Sequence, residues 1–324
     1  MRTAIEMSAP GGPEVLRPVE HDDWSPGRGE VVVRAAVAGV NRADLFIRAG
    51  DWKIAGAFPY VPGLEVAGVV ERCGPGVSGV APGDAVITMM QRLGGIHGTR
   101  AGGYQSHVLV PADTLARVPS GLDVVTAGAL GLPAVTAHMA LAVIAPLAGK
   151  RVLVQGGSSA VGSMALQMLA AGDAYPIATG TRPDKFDFVR DAGARQVVDT
   201  RDPRWSEEVG AVDAVIDLVG AATFAASVSL LRPGGRLCFV GGTSGGELAF
   251  SGWDLMKPVT LTGYSSETLG KGELERAMEA IRDLVARGAL RLSRVTEFPL
   301  REAAAAHRAM EAGGVAGRVV LRAE

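Results

Sequence analysis

Arg151-Val152-Leu153-Val154-Gln155-Gly156-Gly157-Ser158-Ser159-Ala160-Val161-Gly162, running on into Ser163 to Ala171 (SMALQMLAA), is the stretch that decides the fold. The apolar run reads as a strand, the small residues as a tight turn, and the following segment has helical spacing. A strand feeding a glycine-rich turn that opens a helix is the phosphate-binding corner of a dinucleotide fold. The helix start offers unpaired N–H groups and the positive end of the helix dipole, and a pyrophosphate needs both. Small side chains let the backbone approach the phosphates, while Gly162 allows close packing of helix on strand. The turn reads Gly156-x-x-Ser159-x-x-Gly162 rather than G-x-G-x-x-G, a spacing that an ordinary strand-to-helix turn also satisfies.

Outward from this stretch, strands and helices alternate. Tyr175 to Thr179 is a strand with its helix over Lys185 to Ala192, and Gln196 to Val198 is a short strand. Ala214 to Val219 is the next strand, with Ala221 to Leu231 helical behind it. Arg236 to Val240 follows a Pro233-Gly234-Gly235 turn, and Val259 to Thr262 closes the set. Such alternation predicts an α/β fold with a doubly wound parallel sheet. Before it, Val124 to Ala142 is helical, and residues 1 to about 120 are β-rich. Strands are expected at Val31 to Val37, Val66 to Glu71, after Pro82-Gly83-Asp84, and at Ser106 to Val110, with a short helix beginning near Asn41. Glycines and prolines between these strands suggest the corners of a barrel-like domain. A helix from Gly272 to Arg287 and a strand at Arg318 to Leu321 follow, the last expected to rejoin the first domain. The expected division is a β-rich domain over 1–121 and 270–324, and a nucleotide-binding domain over 122–269.

The 324 residues, 48% apolar content and 44 glycines suit a two-domain, glycine-rich α/β protein with sizeable cores. A net charge of -2, with the charges interspersed, points away from nucleic acid and anionic membrane as partners. Cys73 and Cys238 stand far apart, outside metal-ligand or redox spacing, which suits a reducing cytoplasm. The stretch MRTAIEMSAPGGPEVL has no apolar leader-like core, and no run approaches ~18 uninterrupted apolar residues, so a cytoplasmic protein is expected.

The segments GVNRADLFIRAG (39–50), YVPGLEVAGVVERCGPGVSGVAPGDAV (60–86), AGGYQSHVLVP (101–111), the turn at 156–162 and AGRVVL (316–321) occur in this order. Together they make the chain resemble the zeta-crystallin-like quinone oxidoreductases, a zinc-free branch of the medium-chain dehydrogenase/reductase superfamily, over essentially its full length. The resemblance implies a GroES-like, barrel-like catalytic domain built from both ends of the chain, with a Rossmann domain between them. It also implies a homodimer, formed through the edge strand near Val259 to Thr262. Zinc-dependent relatives hold catalytic zinc with a Cys, a His and a second Cys, and the matching positions here are Asn41, Leu64 and Leu132. Zinc needs several N/S donors in tetrahedral reach, so no metal site is expected; His97 or His107 alone would not supply one.

A site for NAD places Asp or Glu at the tip of the second strand. Here that tip reads Ala178-Thr179-Gly180-Thr181-Arg182-Pro183-Asp184-Lys185, with cations where a 2′-phosphate would be gripped, which favours NADPH. The alternative is that Arg182 and Lys185 are solvated residues at a helix start. Ser158, Ser159, Ala160, Val161, Gly162, Gly180 and Thr181 would line the cofactor, as would Val219, Gly220, Val240, Gly241 and Gly242 at strand C-termini. By family position Thr136 reaches the nicotinamide end or the phosphates, or else bonds its own helix backbone. Arg318 is a further cofactor contact, or a surface strand residue. Thr200 stands where many relatives carry Tyr. Asp217 reads as structural or lining rather than catalytic.

With no metal set and no activated nucleophile, the cofactor must carry the chemistry. A conjugated acceptor, a quinone or an α,β-unsaturated carbonyl, needs less polarisation than a simple ketone because charge delocalises as hydride arrives. By motif position Asn41 lies near the nicotinamide and substrate carbonyl, or it caps the short helix. Phe46, Trp52 and Phe58 are pocket walls or core; Phe46 and Trp52 stand where relatives often have Tyr. Tyr104 and Tyr264 keep hydroxyls, and Tyr264 is the second candidate for a catalytic group. The segment 91–100 is longer than is usual for the family, and shapes specificity or is a surface insertion. Alternatives to quinone or enone reduction are an enoyl-thioester (enoyl-CoA/ACP) reductase and a non-catalytic, crystallin-like NADPH-binding protein.

Overall fold

Short, largely apolar strands joined by helices leave a chain few choices but a parallel sheet with both faces covered. The computed structural model, which describes residues 1–54, 56–95 and 97–323, has such a sheet in one of its two compact units. That unit comprises Pro133–Ser265 and Asp283–Ser293. In space its strands run Gln196–Asp199, Tyr175–Gly180, Arg151–Gln155, Val212–Asp217, Leu231–Phe239 and Thr260–Gly263. All neighbours are parallel. In chain order this is the 3-2-1-4-5-6 arrangement, whose direction reverses between Arg151–Gln155 and Val212–Asp217; ligands of such sheets bind beyond the strand C-termini at that point. Leu153, Ile177, Val215, Leu237 and Phe224 fill the core. One strand differs from expectation: Leu231–Phe239 includes the Pro-Gly-Gly segment. Val212 faces Leu231 while Ala214 faces Arg236, so Pro233-Gly234-Gly235 bulges out of a strand already begun, and a bulge is where a sheet tolerates proline.

The other unit comprises Met1–Leu132, Ser266–Arg282 and Arg294–Glu324. Its sheet runs Val295–Pro299, Arg318–Arg322, Glu30–Val40, Glu65–Cys73, Ala85–Met89 and Ala116–Arg117, with His107–Pro111 also on Glu30–Val40. The eleven-residue strand Glu30–Val40 is the axis of the unit: its two halves bind different partners along one side. Val31, Val33, Val66, Val86, Val108 and Leu115 make the core. The ribbon of Arg2–Glu6 with Arg17–His21 and the strand Val295–Pro299 are not expected from the sequence, whereas the alanine-rich patch Ala303 to Ala306, which reads as helix, opens the helix Ala303–Glu311.

The units divide between Leu132 and Pro133, inside the helical stretch Val124–Ile144, and not at 121–122. The physical reason is a break in that helix. Gly131 has φ 33° and ψ -136°, and Pro133 has no N–H to give the Ala129 carbonyl four residues back. Arg318 Nε donates to that carbonyl instead, at 3.1 Å, and Glu65 Oε2 accepts the Leu132 N–H at 2.6 Å. A Cβ on Gly131 would collide with the same carboxylate oxygen. Glu65 and Arg318 are themselves an ion pair, their side chains 1% and 2% exposed. The first turns of the helix are thus bonded to the β-rich unit. The second excursion, Asp283–Ser293, is held to the nucleotide unit by Gln167, whose amide bonds Arg291 O at 3.2 Å and Arg291 N at 3.0 Å. By length and composition Val124–Ile144 could cross a membrane, but 78% of its apolar window is buried inside the protein.

Removing one partner of a buried pair leaves the other charge uncompensated, at a cost of about 3–5 kcal/mol. Glu65→Gln and Arg318→Met are therefore expected to lower the urea midpoint steeply. Arg232→Ala, which breaks an exposed pair with Asp213, should cost under about 1 kcal/mol. Equal, small shifts in all three variants would show that the pair does not hold the broken helix.

Candidate functional site

In the nucleotide unit the turn after Arg151–Gln155 leads directly into the helix Ala160–Ala171. Gly156 adopts φ +81°, and a Cβ on Gly162 would run into the Gly156 carbonyl. Ser159 is the N-cap: its hydroxyl accepts from Gly162 N at 3.0 Å and donates to Gly156 O at 2.8 Å. Serine thus does locally what a glycine would leave to the backbone, and this explains the departure from G-x-G-x-x-G. The cap consumes one helix-start donor, while the Ala160 and Val161 amides in the first turn have no intrahelical acceptor, and donors left over at a helix start suit an anion. Ser158, Ala160 and Val161 are half-buried around it.

Beneath the turn lies a polar row that the reading of single motifs passes over. Gln155, Thr179 and Asp217 end adjacent strands on one rung, with Asp217 opposite Gln155. Thr179 Oγ1 donates to Gln155 Oε1, Gln155 Nε2 donates to Ser227 Oγ at 2.9 Å, and Ser227 lies 3.3 Å from Asp217 Oδ2. Asp217 Oδ1 accepts from Val219 N at 2.9 Å and Gly220 N at 2.8 Å, fixing the next turn. Desolvation pushes the Asp217 carboxyl up despite these bonds. Asp217 is fully buried and structural. The signal was present in the sequence: three apolar runs, VLV-Q, PIA-T and AVI-D, each end in one polar residue.

Gly180, Thr181, Val219, Gly220, Val240, Gly241 and Gly242 all fall at the C-terminal ends of neighbouring strands, so the sheet brings them to the same edge as the turn. A Cβ on Gly242 would press on Gly245 O at 2.5 Å, whereas one on Gly241 would meet open space. Thr136 is 8% exposed, shortly after the helix break. At the second-strand tip, Arg182 is about half exposed and paired with Asp184, while Lys185 is only 7% exposed. The reading of Lys185 as a solvated residue does not hold. Tyr264 follows the outermost strand, half-buried, its N–H bonded to Phe239 O at 2.9 Å.

In the β-rich unit Asn41 is the N-cap residue of the helix Arg42–Ala49. Its backbone N–H is accepted by Asp44 Oδ2 at 2.8 Å. The Asn41 side chain goes elsewhere: Oδ1 accepts from Arg318 Nη1 at 3.1 Å and Nδ2 donates to Glu65 Oε1 at 2.9 Å. Arg318 further donates to Val40 O at 3.0 Å. Arg318 is accordingly neither a surface strand residue nor available to a cofactor; its guanidinium is committed to the broken helix, Asn41 and Glu65. Tyr104 is fully buried, its hydroxyl 3.1 Å from His307 Nε2, so it offers no accessible proton. Phe46 and Trp52 lie with ring centroids 5.2 Å apart and planes tilted by 37°, and Trp52 and Phe58 are 42% and 40% exposed. Neither Trp52 nor Phe58 is core. The segment 91–100, apart from Ile96, which lies outside the described residues, is anchored by buried Leu93 and by Gln91 Nε2 donating to Thr114 O at 3.1 Å.

Asn41, Leu64 and Leu132 do not form a zinc donor set, Leu64 and Leu132 being buried apolar side chains. Among the described residues there is no group of three or more His, Cys, Asp or Glu that could hold a metal ion.

Burial raises the Asp44 carboxyl to about 7, with Glu65 adding to the rise and Arg318 opposing it. The folded value thus exceeds the 3.8 of an ordinary aspartate. The stability Asp44 contributes is greatest below pH about 4 and is lost as pH rises toward 7. Asp44→Asn keeps an oxygen for the Asn41 N–H but does not titrate. The stability difference between wild type and variant should therefore slope between pH 4 and 7; a flat difference curve from urea titrations would remove Asp44 as the titrating group.

Residues 27–120 match the family model "Alcohol dehydrogenase GroES-like domain", and residues 192–321 match "Zinc-binding dehydrogenase". The quinone oxidoreductase of Lama guanicoe is 32% identical, with 98% of this chain and 96% of the relative covered. The 2-haloacrylate reductase of a Burkholderia species is 31% identical, with 99% of both covered. Among solved structures, Escherichia coli quinone oxidoreductase complexed with NADPH is similar at TM-score 0.87 and 27% identity, over 99% of both chains. The chain belongs to the zeta-crystallin-like quinone oxidoreductase family of the medium-chain dehydrogenase/reductase superfamily, and is an oxidoreductase.

Proposed function

We propose that this protein is an NADPH-dependent reductase that delivers hydride to a quinone or an α,β-unsaturated carbonyl without a catalytic metal. The observation that supports the reading is the helix start after the Gly156–Gly162 turn, on the same sheet edge as Arg182, a half-exposed cation. The Escherichia coli relative, complexed with NADPH, supports it. When bound, NADPH supplies the hydride. The chain's own groups do the rest. First-turn amides hold the pyrophosphate, and Arg182 offers a planar fork to the 2′-phosphate. Two of the Asn41 amide's bonding positions are spent on Arg318 and Glu65, and its second N–H can donate to the acceptor's carbonyl oxygen. The Phe46–Trp52 pair gives a flat aromatic ring something to stack on.

Apolar Leu64 and Leu132, with Asn41, stand where metal ligands would be needed to activate a simple ketone. A conjugated acceptor avoids that need: hydride adds to the β-carbon, electrons move onto the oxygen, and water returns the proton. A haloacrylate, the substrate in the Burkholderia relative's name, is a conjugated acid of this kind. An indole at position 52 cannot act as a proton donor, which weighs against enoyl-thioesters. As its partner we propose a second copy of the chain, across the outermost strand Thr260–Gly263. Trp253, Leu255 and Met256, which lead into that strand, are 81%, 50% and 78% exposed.

NADPH oxidation should proceed with 1,4-benzoquinone and alkyl enones and poorly with crotonyl-CoA. Tight NADPH binding without turnover of any acceptor would instead favour a non-catalytic role. Arg182→Ala should weaken NADPH about tenfold and NADH little; equal losses would refute the assignment. Trp253→Asp should shift the mass seen by sedimentation from dimer to monomer.

A further inference from the structure

The cations at the strand tips are already occupied by carboxylates. Arg182 lies on Asp184 through two parallel bonds, Nε to Oδ1 at 2.9 Å and Nη2 to Oδ2 at 2.9 Å. On the neighbouring tip Arg201 Nη2 holds Asp199 Oδ2 at 2.6 Å. Thr200 N, bonded to Gly180 O at 3.0 Å, ties the two tips together. Both acid–base pairs are made two residues apart on one turn, and Arg182 and Asp184 are about half exposed. We propose that Asp184 is an internal stand-in for the ribose 2′-phosphate: it keeps Arg182 in its bidentate geometry and competes with the phosphate, and so sets how strongly NADPH is preferred over NADH.

A carboxylate held edge-on by Nε and Nη2 presents two oxygens on the same guanidinium edge that a phosphate uses. A 2′-phosphate that takes this edge exchanges with Asp184, and one that takes the Nη1–Nη2 edge still bears the repulsion of its charge, whereas the ribose hydroxyl of NADH leaves the pair intact. The hydrogen bonds from Arg182 hold the Asp184 carboxyl below its ordinary range, so the competitor stays charged at neutral pH. Asp199's hydrogen bonds come first in holding Arg201 up, and the charge of Asp184 adds to them, so both tips share one field.

The inference rests on the NADPH reading, and one set of binding titrations separates the two. NADPH, NADH and 2′-AMP are titrated into the intact protein, wild type, Asp184→Asn and Arg182→Ala, with unfolding midpoints confirming the fold. Asp184→Asn should bind NADPH and 2′-AMP about three- to tenfold tighter, with NADH within about twofold of wild type. If Arg182→Ala loses NADPH selectively while Asp184→Asn leaves 2′-AMP unchanged, the stand-in role falls and the cofactor reading stands. If Arg182→Ala weakens both cofactors equally, both fall. Selective loss of NADH in Asp184→Asn would make Asp184 a ribose-hydroxyl acceptor and overturn the proposal.

Discussion

The buried pair of Glu65 and Arg318 is the interaction on which the β-rich unit depends. A helix broken at Gly131 and followed by proline leaves a carbonyl and an amide with nothing to bond, and the pair supplies an acceptor and a donor to them. The same two side chains hold the amide of Asn41. Burying two charges gains little by itself, since desolvation offsets most of the attraction. Here each charge also closes orphaned backbone bonds, and the geometry of Asn41 comes with them. The candidate polar group of the site is thus oriented by the same contact that terminates a helix.

The nucleotide unit solves its problem differently. Gln155, Thr179, Ser227 and Asp217 make a row of neutral and acidic groups just inside the strand ends, where parallel strands would otherwise stop in loose loops. Their bonds set the turn at Val219–Gly220, while the Ser159 cap sets the turn at Gly156–Gly162. Rigid turns matter for a phosphate, because donors that need no reordering on binding lose less entropy.

The nucleotide fold was legible because it is repetitive: each βα unit restates the alternation of periods, and the glycine turn marks where it begins. The first unit was less so. Its ribbon at Arg2–Glu6 and its strand at Val295–Pro299 are five residues each and lack a clean apolar–polar alternation, so local pattern does not report them. Motif position makes Asn41 and the glycine turn candidates for the site. By family position Arg318 reads as a cofactor contact, or else as a surface strand residue; only the tertiary pairing with Glu65 reveals it as core. Lys185 shows the same effect, since burial of an amphipathic side chain leaves no periodic trace. The Asp184 pairing sits in plain sequence two residues from Arg182, but a bidentate contact depends on turn geometry rather than composition.

Glu65 and Arg318 lie 253 positions apart. Domains generally fold in the order in which they are synthesised, but the strand Glu30–Val40, the broken helix and Asn41 must all wait for residue 318 before their charges are balanced. The nucleotide sheet, complete by Gly263, has no such dependence. During synthesis the unit that begins the chain is therefore the last to be finished, and for that interval it carries an unpaired Glu65 carboxylate.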